Sequence, residues 1–303
     1  MRPVLAILFD VAVFRLRRFE MANIAGALAI AIACHLSALE IGFRAAFAFL
    51  LNLLVYLNND WYDLADDLAA TDKDQRKNSY LAEHPRAAVI AQLGLLAILL
   101  ALALWWGGGL LIALIAGAGV CFAYSAGLKR VPILDVLAMI AWGVAMPLVG
   151  LAPGHPEGWL LLGQLGLFSG VFESIQVIRD HDADAAAGVR TTAVVLGLDR
   201  ARVLARALMI AAGIYAGLCF TWWIAPLPIL AALIPMQARV ATRRVAGGPG
   251  GRPEMRSILG GVFRLRAETP TRHEIDRYWN RVRVVLGLAM VAETAFVYFG
   301  GLG

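Results

Sequence analysis

The chain has 303 residues, 60% hydrophobic and only 16% charged, with 27 Lys and Arg against 22 Asp and Glu and a formal net charge of +5. Soluble domains carry about a quarter charged residues, so this balance excludes an ordinary soluble fold and points to a polytopic membrane protein. The basic excess lies in loops between apolar segments, where it orients a chain in a bilayer, and nucleic acid is not an expected partner.

In chain order, the N-terminal "MRPVLAILFDVAVFRLRR" has a short apolar run, but Asp10, Arg15, Arg17 and Arg18 do not fit a cleaved signal peptide. It reads as a cytoplasmic or interfacial segment. Apolar stretches near the length that crosses a bilayer then recur at 22–39, 43–58, 86–105, 108–125, 134–152, 158–178, 203–222, 224–238 and 283–300. In hydrocarbon these must be helices, because an open strand edge leaves backbone groups unpaired. The expectation is a single all-α transmembrane domain over 1–303, a bundle of nine helices around a central cavity. Cytoplasmic loops are expected at about 59–85, 126–133, 179–202 and 239–282.

Charge supports that threading. With the N-terminus inside, nine crossings put every Lys and Arg except Arg44 on one side, and adding or removing a span scrambles the segregation. The opposite connections, "LEIG", "GGG", "PGHPEG" and "APLP", are short. Trp105, Trp106, Trp159, Trp222 and Trp223 gather near them as an aromatic belt does. The expected location is an inner (cytoplasmic) membrane, multi-pass, with the N-terminus and active-site loops in the cytoplasm. Cys34, Cys121 and Cys219 sit in apolar stretches without CxxC spacing or paired histidines, which argues against a disulfide framework and a zinc site.

Two acidic clusters end expected spans on the cytoplasmic side. In "NNDWYDLADD", Asn59, Asp63 and Asp67 are spaced by four and share one helical stripe, with Asp60 beside it. In "RDHDADAAAGVRTTAVVLG", Asp180 and Asp184 repeat the spacing and Asp182 adds a third acid. Facing carboxylates repel unless a cation intervenes. Oxygen donors without His or Cys favour a hard ion, Mg²⁺ before Zn²⁺, and Mg²⁺ commonly joins a few carboxylates to substrate phosphates. Lys129, Arg130, Arg76 and Arg179 stand ready for the remaining phosphate charge. A charged head at the rim and an apolar tail between helices describe an isoprenoid diphosphate. Its allylic C–O bond ionises when the departing charge is stabilised, and the cation left behind needs a dry pocket.

These motifs resemble those of the UbiA superfamily of intramembrane prenyltransferases. "NDWYDLADD" is similar to its first motif, NDxxDxxxD. The 179–197 segment is similar to its second, DxxxD followed by Gly-x-Arg/Lys-Thr, and "YSAGLKRVPILD" to the segment between them. The resemblance implies that Asn59, Asp63 and Asp67 bind one Mg²⁺ and Asp180 and Asp184 another, with Asp60 supporting the site. It implies that Lys129 and Arg130 bind the diphosphate, that Tyr124 lines the cavity, and that Arg76 contacts phosphate. Around Arg76 the chain reads "DKDQRKNSYLAEHP" and lacks the common Asn-Arg-Pro…Ser-Gly pattern. Asn23 is placed on the acceptor side. Gln176 and Val177 stand where naphthoate-type members carry two Asn, whereas "LKRVPILD" is similar to members acting on lipid-like or carotenoid substrates. The acceptor stays open.

Glu173 lies two turns before Asp180 on the same face, and an intramembrane acid there points to the substrate cavity. Asn52 and His35 read as packing residues, and Glu293 is a further acid within an apolar span. "GGPGGRPEM" lacks the GK[ST] of a phosphate loop, and "TRHEIDRYWNRVRV" reads as a surface-anchoring entrance to the last span. The expected activity is Mg²⁺-dependent transfer of a polyprenyl group from its diphosphate to an aromatic or lipid-like acceptor, with membrane lipid as surroundings. The rivals are a terpene cyclase or carotenoid elongase of the same superfamily, and a cation or lipid transporter.

Overall fold

The computed structural model describes residues 2–17, 20–69, 75–236 and 271–300, and no strand occurs among them. The helices are α1 (Arg2–Arg17), α2 (Asn23–Ala33), α3 (Ala38–Tyr62), α4 (Leu64–Ala69), α5 (Gln75–Glu83), α6 (Pro85–Trp106) and α7 (Leu110–Ala126). After them come α8 (Leu134–Ala145), α9 (Glu157–Ala186), α10 (Thr192–Leu196), α11 (Leu198–Cys219), α12 (Pro226–Leu233) and α13 (Arg272–Tyr298). Short 3₁₀ turns cover Leu128–Arg130 and Pro147–Gly150. Lys73, the expected turn at 247–255 and the part of the loop from 239 to 270 lie outside the described residues.

Among the described residues α3, α6, α9 and α11 are long and apolar enough to cross a bilayer, while α2, α7 and the 134–150 segment are shorter apolar helices. Each expected span overlaps a helix. Several are cut short by residues that a hydropathy count ignores. Pro147 ends α8, and Pro226 opens α12. With 11 residues, α2 rises about 16 Å, half the thickness of a hydrocarbon core. The long α13 begins with a charged turn set by a capping box between Thr271 and Glu274.

The core falls into two bodies. One gathers apolar residues of α1, α3, α6 and α7; the other gathers α9, α11, α12 and α13. Between them sits α2, giving Ala27 to the first and Ile30 and Ala33 to the second. Glycines allow the close approach of α8 to α9. A Cβ on Gly143 would lie 2.6 Å from the Leu165 carbonyl oxygen, and one on Gly170 would lie 2.5 Å from Ile140. Such contact of small residues replaces the hydrophobic drive that is missing between helices in lipid. Leu93, Leu104, Ile112, Leu218 and Val291 point outward, as lipid-facing residues do.

Arg44, the one basic residue on the wrong side of the charge count, is not a loop charge. It is 2% exposed within α3 and donates to the carbonyls of Val149 at 2.7 Å, Leu151 at 3.1 Å and Gly108 at 3.1 Å. These carbonyls belong to loop backbone that no helix satisfies, so one guanidinium ties the α6–α7 turn and the end of the Pro147 turn to α3. Among the described residues, one water-sized hollow lies among α1, α3 and α5 and another beside α13. Neither of these two is the expected central cavity.

Candidate active site

The first motif closes α3. Asp63 is its C-cap, and the chain restarts at once as α4, which carries Asp66 and Asp67. Asn59 Nδ2 donates to Asp63 Oδ2 at 3.1 Å, and Ser125 Oγ of α7 donates to Asn59 Oδ1 at 3.4 Å. Lys129 Nζ reaches the same Asp63 oxygen at 2.5 Å, and Arg130 meets Asp66 at 3.2 Å. The segment after α7 is therefore laid across the first motif by its own cations. Asp67 is half-buried one turn beyond Asp63, its amide bonded to the Asp63 carbonyl at 2.8 Å.

Asp60 faces elsewhere. It is buried and pairs with Arg15 of α1 and with Lys77 of α5, the latter at 2.9 Å. Arg15 also pairs with Glu20 and lies over the Tyr56 ring at 4.5 Å. Burial lowers a guanidinium's pKa, but Asp60 and Glu20 outweigh it and hold Arg15 above its usual value, so the cation persists. Asp60 thus fastens α1 and α5 to the end of α3, a different environment from the metal support expected of it. Arg76 is exposed on α5 beside Lys77.

The second motif ends α9. Arg179 forks onto Asp180 with two bonds of 3.1 Å, and Arg272 of α13 stands 3.8 Å from the same carboxylate. Asp182 is exposed and meets His181, while Asp184 is half-buried and its carbonyl accepts the Val189 amide at 2.8 Å. One layer deeper, Tyr124 Oη of α7 donates to Glu173 Oε1 of α9 at 2.9 Å. Glu173 is buried and within electrostatic reach of Lys129, Asp180 and Asp135. Tyr124 on Glu173 therefore joins the two bodies of the core at one end of the bundle, while Lys129 on Asp63 ties the segment after α7 to the end of α3 within the first body. Asn23, at the start of α2, has its Oδ1 buried without a hydrogen-bond partner among the described residues.

Sequence reasoning missed a lock beneath this layer. Asp135, fully buried at the start of α8, accepts from the Thr192 amide at 2.7 Å and the Val136 amide at 2.8 Å. It also takes the Thr192 hydroxyl, whose oxygen in turn accepts the Ile133 amide at 2.6 Å. Ile133 is held at φ +71°, a value a β-branched residue adopts only under constraint. The signal was present: Asp135 ends "YSAGLKRVPILD", and Thr192 lies within "GVRTT". The charged start of α13, read from the sequence as a surface anchor, also reaches the second motif. Besides Arg272, it brings Asp276 to 3.8 Å from Arg179 and the Trp279 ring to 5.2 Å. It packs on the second motif.

The donors of both motifs fit a hard divalent cation. Asn59, Asp63, Asp67, Asp180 and Asp184 offer only oxygen, and protein cations meet the leading carboxylate of each motif. Among the described residues these aspartates do not close into three ligand atoms within 4.8 Å of one another. An ion held there completes its shell from water or phosphate oxygens, as Mg²⁺ commonly does.

The family model described as the UbiA prenyltransferase family matches residues 21–254. No curated protein sequence matches the chain. Among solved structures, one from work on a digeranylgeranylglyceryl phosphate synthase in membranes is similar with a TM-score of 0.68 and 14% identity, covering 99% of this chain and 100% of that one. A UbiA homologue from Archaeoglobus fulgidus bound to GPP and Mg²⁺ gives 0.62 at 18% identity, covering 98% and 99%. The same homologue bound to DMAPP and Mg²⁺ gives 0.62 at 17%, covering 93% and 97%. At these identities the likeness establishes the fold.

Proposed function

The chain belongs to the UbiA prenyltransferase family, and from that premise we propose that this multi-pass membrane enzyme takes a polyprenyl diphosphate at the end of the bundle where its two motifs meet. The observation that carries the reading is the bridge between the core bodies, Tyr124 of α7 on Glu173 of α9, just inside Lys129 on Asp63 and within electrostatic reach of Asp180. Solved relatives that hold GPP or DMAPP with Mg²⁺ support the donor class.

In this reading Asn59, Asp63 and Asp67 hold one Mg²⁺, and Asp180 and Asp184 hold another. When bound, the ions supply Lewis-acid stabilisation of the departing diphosphate. Lys129 and Arg130 exchange Asp63 and Asp66 for phosphate oxygens, since a charge-assisted bond to phosphate replaces one to carboxylate at little net cost. Arg272, beside Asp180, joins them. Tyr124 and Glu173 mark the inner end, where the reacting carbon lies. The phenol ring presents a face to developing positive charge, and Glu173 holds the ring in place through its hydroxyl. Buried apolar walls keep water from the cation. Asn23, with its unpaired oxygen, lies on the acceptor side. Arg76 is kept as an outer phosphate contact, and Asp60 holds the motif's base to α1 and α5. The chain crosses an inner membrane nine times, with N-terminus and site on the cytoplasmic side, and the acceptor is aromatic or lipid-like.

The test is diphosphate release from a labelled prenyl donor by the full chain in nanodiscs. Asp63→Ala and Asp180→Ala each abolish release while the protein stays monodisperse, and chelation of divalent ions does the same reversibly. Full activity in either variant, with folding intact, refutes the assignment. Running the assay with and without aromatic acceptors separates transfer from cyclisation.

A further inference from the structure

At the end of the bundle away from the aspartates, the fold gathers a different set of donors. Cys34 caps α2, His155 lies in the "PGHPEG" connection and Glu157 is the first residue of α9. More than a hundred residues of sequence separate Cys34 from the other two. In the structure one ligand atom from each lies within 4.8 Å of the others. His155 Nδ1 and Glu157 Oε1 are 2.9 Å apart, and the Cys34 side chain is 1% exposed. Gly158 keeps the space beside the sulfur open, since a Cβ there would stand 3.2 Å from it. From Glu157 to Asp180 the rise of α9 is about 35 Å, so this cluster is no part of the diphosphate site.

We infer that Cys34, His155 and Glu157 form a binding site for a borderline transition-metal ion of the Zn²⁺ class. The donor chemistry decides the class. One sulfur, one imidazole nitrogen and one carboxylate oxygen match the three-ligand sets that hold Zn²⁺ with a fourth position left to water. Mg²⁺ has no preference for sulfur or imidazole and is excluded on the same ground. The spacing is close to what is needed. Two ligands of tetrahedral zinc at bonds of 2.0–2.1 Å are about 3.3 Å apart, so the His155–Glu157 pair opens only slightly. Charge favours it as well. On binding, the Cys34 thiol gives its proton to solvent, and thiolate, carboxylate and divalent ion sum to zero at the edge of a low-dielectric layer, where a net charge is costly. His155 and Glu157 are partly exposed, with 33% and 28% of their side chains accessible, so an ion enters from the water side. The rival account is a bare His–Glu hydrogen bond beside an inert thiol.

The experiment uses the full-length protein in detergent, stripped with chelator and dialysed, then titrated with Co²⁺. A thiolate-to-cobalt charge-transfer band in the near ultraviolet is expected at one ion per chain, retained in excess Mg²⁺ and erased by Zn²⁺. The band is lost in Cys34→Ser and kept in Cys121→Ser. In His155→Ala and Glu157→Gln it needs at least about tenfold more Co²⁺. The two latter changes are at partly exposed positions and leave the buried thiol in place, so a folding defect in Cys34→Ser does not decide the result. No band in the wild type, a band that survives Cys34→Ser, or unchanged affinity in both His155→Ala and Glu157→Gln overturns the inference.

Discussion

Replacing Asp135 by alanine tests whether the segment bearing Lys129 is held by the lock to Thr192. The carboxylate accepts from two backbone amides, at 2.7 and 2.8 Å, and from one hydroxyl, all away from water. A hydrogen bond to a charged acceptor contributes about 1.5–3 kcal/mol, so losing the two amide bonds alone costs at least about 3 kcal/mol. The constrained Ile133 loses part of its restraint at the same time, because the Thr192 oxygen that accepts its amide is no longer fixed. At 1.4 kcal/mol per decade, 3 kcal/mol is about a hundredfold in the equilibrium for local opening. Hydrogen–deuterium exchange in detergent reads this directly. Peptides covering 128–136 and 189–196 exchange about a hundredfold faster in Asp135→Ala, while peptides of α6 do not change. Thr192→Val, which removes only the hydroxyl, gives a smaller increase. Diphosphate release weakens mainly through a higher KM for the donor, since the change displaces Lys129 without removing it. Exchange within about threefold of wild type in both peptides would refute the lock.

Lys129→Ala raises the donor KM by about ten- to a hundredfold, the loss of one charge-assisted contact of 1.5–3 kcal/mol, and steady-state kinetics in nanodiscs measure it. Arg44→Met leaves three loop carbonyls without their donor and lowers stability by about 2–4 kcal/mol, read as a drop in Tm in detergent. Gly150→Ala places a Cβ 2.0 Å from the Ala27 carbonyl oxygen and destabilises by about 3 kcal/mol or more, whereas Gly94→Ala, with nothing within 4 Å, is neutral or stabilising. Equal Tm values for these two glycine variants would refute the close α2 contact.

Features governed by local spacing were legible in the sequence. The Asn59–Asp63–Asp67 register and the Asp180–Asp184 pair need only the helical repeat, and the structure ends α3 and α9 at them. Lys129 is singled out through the likeness of "YSAGLKRVPILD" to a family segment, and its contact with Asp63, 66 residues away, comes only with folding. Pairings set by tertiary packing were not. Nothing in "NDWYDLADD" distinguishes Asp60 from Asp63, yet Asp60, about 100° around the helix from Asn59, turns from the motif toward Arg15 and Lys77. Arg44 read as a lone charge outside because its partners are carbonyls of distant turns, which carry no sequence signature. The count of spans rested on apolar length and on the segregation of Lys and Arg, and neither sees Pro147, which stops α8 well short of the 134–152 span. Cys34 looked solitary because its neighbours His155 and Glu157 arrive only when α2 and α9 pack side by side.

The unbroken length of α9 also serves as a plumb line. Set Glu157 at one boundary of a hydrocarbon layer about 30 Å deep: Glu173 then hangs about 24 Å down, still in oil, and Asp180 about 35 Å down, already among headgroups and water. A molecule that touches both acids must change character along its own axis within about 10 Å, polar at one end and greasy just beyond. Inorganic pyrophosphate can reach the wet end alone, but only an amphiphile standing upright in the leaflet reaches the Tyr124–Glu173 layer.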